Sequence, residues 1–403
     1  MSERSFDVAV IGAGIVGLGI AWTVAGTGRT VAVIDPAPAT GATYAAAGML
    51  APVSELRYQE GDLLELMLAS ARLYPGFIEP LGAAEIGYRT TATITVGASS
   101  ADRQSLADLR GAQLAHGLSI EPLTTREARL REPLLNPQLS SAFSTDQDHQ
   151  VDPRRLADRL EAAIAAIAAA GERSYPPVIR QRAVTLTHEH PSDGSSRVNG
   201  VILADGSAVH ASEVIVANGL SAGRLAGLPD GLELPLRPVH GDIIRLRVPA
   251  HLRPFVRSTI RGVVRGLPVY LVPRADGTVV LGATERENGS GGVSAGGVHQ
   301  LLRDAQVLVP AVAELEIIEV AARARPATPD NAPLLGRVGC HGDAAQDDIP
   351  GLIIATGFYR HGVLLTPVAA EHCVHLIEGT AGDRWHRFRP DRFSLPTQKD
   401  ARS

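Results

Sequence analysis

The sequence predicts an α/β fold in two interleaved parts: a Rossmann-type domain on a parallel sheet, and a second domain that is mainly antiparallel β. Three features point that way. The chain opens on a strand–turn–helix unit, Phe6–Trp22, with Gly12, Gly14 and Gly17 spaced G-x-G-x-x-G. It closes on another strand–turn–helix run at 351–379, and from 234 to 320 it is dominated by long β-type runs.

Each part of the opening unit has a physical job. FDVAVI is apolar and suits a buried strand. Gly12 permits the tight turn out of it, Gly14 lets the backbone approach a pyrophosphate, and Gly17 lets the helix pack close on the sheet. The helix N-terminus offers N–H groups and a partial positive charge. Asp35 ends a second strand-like run, TVAVID, 18 residues past Gly17. It is placed to accept hydrogen bonds from a ribose. These parts together predict a dinucleotide site; a glycine-rich turn in an unrelated βαβ unit is the plainer alternative. A secretory leader is disfavoured, since Asp7 directly precedes the apolar run, Arg4 is the sole early cation and no A-x-A site follows. The run is also too short and too glycine-rich to span a membrane.

With 403 residues the length suits two or three domains, and 45% apolar with 20% charged residues suits a globular chain with ample core. A formal charge of −5 argues against a nucleic-acid partner and a basic membrane-binding patch. Two cysteines, Cys340 and Cys373, make neither a disulfide framework nor a zinc spacing, and a reducing cytoplasm is expected.

Residues 39–52, ATGATYAAAGMLAP, are small enough to lie flat against a large ligand, or to form a plain loop. A helix is expected over 60–80 from Leu63, Leu66, Met67 and Leu73, a strand over 87–97, and a polar helix over 101–116. A short helix over 125–135 is stopped by Pro133. His116 is a lone histidine with no functional company. The helix over 150–171 has Asp152 as N-cap, Pro153 in its first turn and Gly171 near its end. Strands are expected at 182–190, through the hairpin and buried strand of 198–219, and at 234–248, 267–284 and 315–326, with a helix near 295–309. His188 and His190 alternate onto one strand face, but without a third ligand a solvated edge is expected there, not a metal site. GLIIATG reads as a buried strand before a helix that starts near Gly362, and the tail from Arg384 as polar and frayed.

With these pieces in place, the chain resembles the D-amino acid oxidase superfamily of flavoproteins, and within it the glycine oxidases. The resemblance spans residues 6–379 and rests on GAGIVG (12–17), AAAGMLAP (45–52), VIVANG (214–219), YLVPRADGTVVLGAT (270–284), RPATPDNAPLLG (325–336) and ATGFYRHGVLLTP (355–367). AAAGMLAP and YRHGVLLTP favour glycine oxidase over the vertebrate-type D-amino acid oxidases; sarcosine and dimethylglycine oxidases are neighbours. Leu220 replaces a tryptophan usual in the family.

The resemblance implies FAD, held non-covalently because neither cysteine falls in an attachment motif. It implies an FAD-binding domain from 1–86, 146–225 and 320–382, a substrate domain from 87–145 and 226–319, and a polar tail from 383–403. Cofactor contacts are implied for Gly12, Gly14, Ile15, Val16 and Gly17, for Asp35 and Pro36 at the adenosine ribose, and for Ala42 and Thr43 at the phosphates. Ala47, Gly48 and Met49 would lie along the isoalloxazine, and Val184 would meet the adenine through its backbone. Phe358, Tyr359, Arg360, His361, Gly362, Val363 and Leu364 would bring the final helix's positive end to the flavin N1/C2=O region.

Amine oxidation at a flavin asks the protein for binding, orientation and electrostatics. A substrate carboxylate suits an arginine fork. By resemblance that arginine is Arg325; Arg323 shares its strand face and is a rival from the residues alone. Tyr270 would add its hydroxyl, and Arg360 would lie near flavin and substrate. No catalytic base is assigned, since none is required if the neutral amine is the species oxidised. The implied reaction takes glycine, O2 and water to glyoxylate, ammonia and hydrogen peroxide, through an imine that a thiamine pathway would hand to a thiazole synthase. Sarcosine, other N-methyl amines and small D-amino acids are alternative substrates, and a dehydrogenase would use another acceptor. A non-catalytic flavin binder and an NAD(P)-linked enzyme are rivals of other classes. The family also implies a homotetramer; no metal, nucleic-acid or membrane partner is expected.

Overall fold

The computed structural model describes residues 4–171, 177–189, 196–339 and 348–394. The chain divides into two compact units. Met1–Tyr44, Leu156–Pro238 and Arg325–Ser403 form the first; Ala45–Arg155 and Val239–Ala324 form the second.

In the first unit a sheet runs in the order Leu334–Gly339, Asp348–Thr356, Ala208–Val216, Arg4–Ile11, Val31–Ile34, Val178–Ile179. Arg197–Leu203 and Ala183–Glu189 extend it from Ala208–Val216. The pairings from Asp348–Thr356 through Val178–Ile179 are parallel. Such strands are covered on both faces, which is why VAVI reads as an unbroken apolar run and all four residues are buried. Helix Ile15–Gly26 leaves the first strand and packs against the closing helix Gly362–Glu378. Ile11, Ile34, Val214, Val216, Leu352 and Ile354 are part of the core beneath.

The sheet of the second unit, whose residues 237–238 and 325–327 belong to the first, has the order Glu316–Ala327, Arg237–Arg247, Thr278–Gly282, Leu267–Pro273, Thr259–Val264, Thr93–Gly97, Ser141–Thr145, Glu121–Leu123. Thr93–Gly97 runs parallel to Thr259–Val264, whereas the hairpins on either side are antiparallel. Helix Ala295–Leu308 covers this sheet, burying Leu301, Ala305 and Leu308 with Ile260, Leu271 and Leu281. The fold class is thus the mixed α/β arrangement that the sequence predicts.

Several local expectations differ from the structure. The strand expected at 87–97 forms only over Thr93–Gly97, because Gly87 turns at φ +64 and Arg89 bridges to Gln150. The helix expected to run to Pro133 ends at Arg131, where the Glu132 carboxylate turns away to accept N–H bonds from Arg257 and Ser258. Strands Ser141–Thr145 and Thr259–Val264 had no counterpart in the sequence reading. Residues 45–86 and 146–155, expected in the Rossmann-type domain, fall in the second unit. Met49–Leu50 pairs with His149–Gln150, and Asp148 accepts from Val53 and Ser54 N–H. The tail is not frayed where it is described: 383–394 makes two short 3-10 turns that bury Trp385, Phe388 and Pro390. Arg389 bonds Asp348 and Asp391, and Arg392 bonds Asp330, so the charges of Arg389, Asp391 and Arg392, which made the tail look solvated, are paired.

Candidate active site

The glycine turn of the first unit has the geometry its spacing predicts. Gly12 sits at φ +109, and a Cβ there would lie 2.6 Å from Ala217 O. A Cβ on Gly17 would lie 2.0 Å from Gly12 O, so helix and turn meet backbone to backbone. A Cβ on Gly14 would meet nothing closer than Thr43 Oγ1 at 3.5 Å, which leaves open space over the helix start. No acid lies in the first turn of this helix, and Thr43 Oγ1 accepts from Ile15 N–H at 3.0 Å. Asp35 accepts from Ala13 N–H and Ala37 N–H, both at 2.8 Å, one on each oxygen. Each oxygen keeps a lone pair for a ribose hydroxyl. These features fit the adenosine diphosphate part of a dinucleotide. Val184 is 40% exposed, and its carbonyl accepts from Ala226 N–H at 3.1 Å, a partner within the first unit.

The segments that carry Arg325 and Arg360 meet in this same unit. Tyr359 N–H donates to Pro326 O at 2.9 Å, joining the residue before Arg360 to the residue after Arg325. Tyr359 sits at φ 46, a costly conformation for a bulky residue that only its surroundings hold in place. The Arg360 guanidinium lies 5.2 Å and that of Arg237 5.7 Å from its ring centroid. Arg237, which the sequence reading did not single out, is fixed by Thr328 O at 3.2 Å and Asn331 Oδ1 at 2.7 Å. Arg323, the rival of Arg325, donates to Ala322 O at 2.8 Å. Helix Gly362–Glu378 begins beside Arg360, with neither a side-chain cap from His361 nor an acid in its first turn. Cations and a helix N-terminus concentrated in one place suit an anion.

The second unit holds Ala47, Gly48, Met49 and Tyr270. Gly48 takes φ +72, and a Cβ there would lie 2.0 Å from Val151 O. The Met49 sulfur is 3.5 Å from Arg261, which is ion-paired with Glu55. Just beyond, the Asp148 carboxyl holds Val53 and Ser54. Its burial pushes it up to about 6, against the pull of those hydrogen bonds and the Arg261 charge. Tyr270 lies opposite Gly282 in the strand pair, and a Cβ on Gly282 would come within 2.4 Å of the Tyr270 hydroxyl oxygen. A glycine is therefore what lets that ring lie flat across the neighbouring strand.

The remaining candidates have bland surroundings. His188 bonds Gly227 O at 2.7 Å and Ser196 Oγ at 3.2 Å, while His190 and Cys340 lie outside the described residues. Cys373 is buried in the closing helix, and burial pushes its thiol up to about 12. Among the described residues no cluster of metal-binding side chains occurs, and no helix is long and apolar enough to cross a membrane.

Comparison with known proteins fits this geometry. The profile of the family described as FAD dependent oxidoreductase, DAO, matches residues 7–376. Glycine oxidase from Geobacillus kaustophilus is 31% identical over 384 residues, covering 94% of each chain. A Synechocystis protein named bifunctional protein ThiO/ThiG is 30% identical over 406 residues; the match takes in 98% of this chain but only 55% of that protein. The crystal structure of the Geobacillus kaustophilus glycine oxidase superimposes with a TM-score of 0.82 at 27% identity, over 97% of this chain and 100% of that one. Iminodiacetate oxidase from Chelativorans sp. BNC1 superimposes with a TM-score of 0.80 at 26% identity, over 95% and 98%. With the profile matched over nearly its whole length and a glycine turn shaped for a dinucleotide, the chain belongs to the DAO family of FAD-dependent oxidoreductases, and FAD is its cofactor.

Proposed function

We propose that this protein oxidises glycine with O2 and water to glyoxylate, ammonia and hydrogen peroxide. The observation that best supports the reading is the Tyr359–Pro326 hydrogen bond, which joins the chain segments that carry Arg325 and Arg360. The 31% identity to a glycine oxidase supports the choice of substrate. FAD, when bound, would supply the redox chemistry of removing a hydride from the substrate Cα. Binding and orientation fall to the chain. The Arg325 fork receives both carboxylate oxygens, and the Tyr270 hydroxyl donates a further hydrogen bond. Arg360 and the N-terminus of Gly362–Glu378 stabilise negative charge on the cofactor ring. Gly12–Gly17, Asp35, Pro36, Ala42 and Thr43 hold the adenosine diphosphate, Val184 the adenine edge, and Ala47, Gly48 and Met49 the ring. No side chain is needed as a base when the amine enters neutral. Hand-off of the imine to a thiazole synthase and assembly as a homotetramer complete the reading by resemblance.

The likeness to iminodiacetate oxidase favours N-substituted glycines as the second reading. One methylene changes substrate discrimination by only about 1–3 kcal/mol, so pocket size decides between them. Peroxide release measured with glycine, sarcosine, D-alanine and D-proline tests this. Glycine is expected to give the highest kcat/KM; a tenfold preference for sarcosine or D-alanine would move the substrate assignment to that amine.

A further inference from the structure

Arg274 ends the YLVPR run, directly after strand Leu267–Pro273, and has no part in the reaction above. It is 7% exposed. One terminal nitrogen donates to Val151 O at 2.8 Å and Gln150 Oε1 at 3.3 Å, and the other donates to Ala47 O. These acceptors are neutral. Burial draws the guanidinium down to about 10, and the Asp152 charge offsets this in part. Asp152 is itself committed to the N–H groups of Arg154 and Arg155. A buried cation is costly unless its donors are filled; here backbone carbonyls from two separate stretches take the two terminal nitrogens, while Nε is buried without a partner among the described residues.

Those stretches already touch. Val151 N–H donates to Gly48 O at 2.9 Å, and the approach is so close that a Cβ on Gly48 would lie 2.0 Å from Val151 O. Ala47 O and Gly48 N–H belong to one planar trans peptide and point in opposite directions. A guanidinium that fixes the carbonyl therefore fixes the direction of the N–H. It also polarises the amide and strengthens that N–H as a donor.

We propose that Arg274 is a positioning residue for the flavin: it holds the Ala47 carbonyl so that the Gly48 N–H is presented to an acceptor atom of the cofactor ring. This rests on the reading that Ala47, Gly48 and Met49 line the flavin. Two variants test it, with FAD affinity of the apoprotein, the flavin absorption spectrum and the urea midpoint as readouts. Arg274→Lys keeps the charge but cannot span both carbonyls. It is expected to lose about tenfold or more in FAD affinity and to shift the flavin bands, with a urea midpoint close to wild type. Arg274→Met removes the charge as well. It is expected to favour oxidised over reduced flavin by a further tenfold, about 30 mV for a two-electron couple. Should Arg274→Met fail to fold, Arg274→Lys decides alone. A folded Arg274→Lys protein with wild-type affinity and spectrum overturns the proposal, and so does a loss of stability with affinity and spectrum unmoved. Met49→Ala separates the two levels. If it shifts the flavin bands and Arg274→Lys does not, only the role of Arg274 fails. If neither does, the placement of Ala47–Met49 at the flavin fails with it.

Discussion

Arg325 and Arg360 are distant in sequence, yet the bond from Tyr359 N–H to Pro326 O brings their segments within one peptide of each other. If the Arg325 fork holds the substrate carboxylate, two charge-assisted hydrogen bonds of about 1.5–3 kcal/mol each are at stake. Arg325→Ala should then lower kcat/KM for glycine by roughly a hundredfold or more, chiefly through KM; steady-state kinetics at the wild-type value would contradict the role. Gly282 is a subtler test. An added methyl group would displace the Tyr270 hydroxyl, which lies 2.4 Å from where that carbon would sit. Gly282→Ala should raise the KM for glycine about tenfold, given the usual cost of overpacking, and an unchanged KM would remove Tyr270 from substrate binding. The sequence made some of these residues legible and hid others. Gly12, Gly14, Gly17 and Asp35 announce themselves because their meaning lies in local spacing. Arg325 could not be chosen over Arg323 from alternation alone. Gly282 and Arg274 were invisible, because what defines them is a ring on the neighbouring strand and two carbonyls far away in the chain.

Among the elements, the strand–turn–helix units at both ends were readable from unbroken apolar runs and glycine turns, and the closing helix starts at Gly362 as expected. Short strands such as Ser141–Thr145 were not, since five residues carry too little alternation and their partners supply the rest. The tail was misread for a related reason. Its charge masks Trp385 and Phe388, which are 7% and 2% exposed. Burial alone would raise the Asp391 carboxyl, but hydrogen bonds from Arg389 and Gly339 N–H hold it below the usual carboxylate range. Two buried aromatic side chains at about 1.5–3 kcal/mol each make this segment part of the first unit's stability. A chain truncated after Gly382 should therefore lose about 3–6 kcal/mol relative to one ending at Ser394. Equal urea midpoints for the two would show the turns to be ornamental.

At the scale of the whole molecule, the chain crosses between its two units at 44/45, 155/156, 238/239 and 324/325. The interleaving was legible in the return of buried-strand character near 351. The first crossing was not, because the small residues after Tyr44 carry no hydrophobic pattern; bonds to Asp148 and Arg274 assign them to the second unit. Membership of the DAO family sets the cofactor, and the proposed roles of Arg325 and Arg360 would narrow the chemistry to substrates with a carboxylate beside the amine. Anaerobic titration of the FAD-loaded protein with glycine, followed through the visible absorption of the flavin, tests this most directly. The predicted result is full bleaching at saturating glycine, with the half-saturating concentration raised about a hundredfold or more in Arg325→Ala. A flavin that stays oxidised in the presence of glycine, sarcosine, D-alanine and D-proline alike would contradict it.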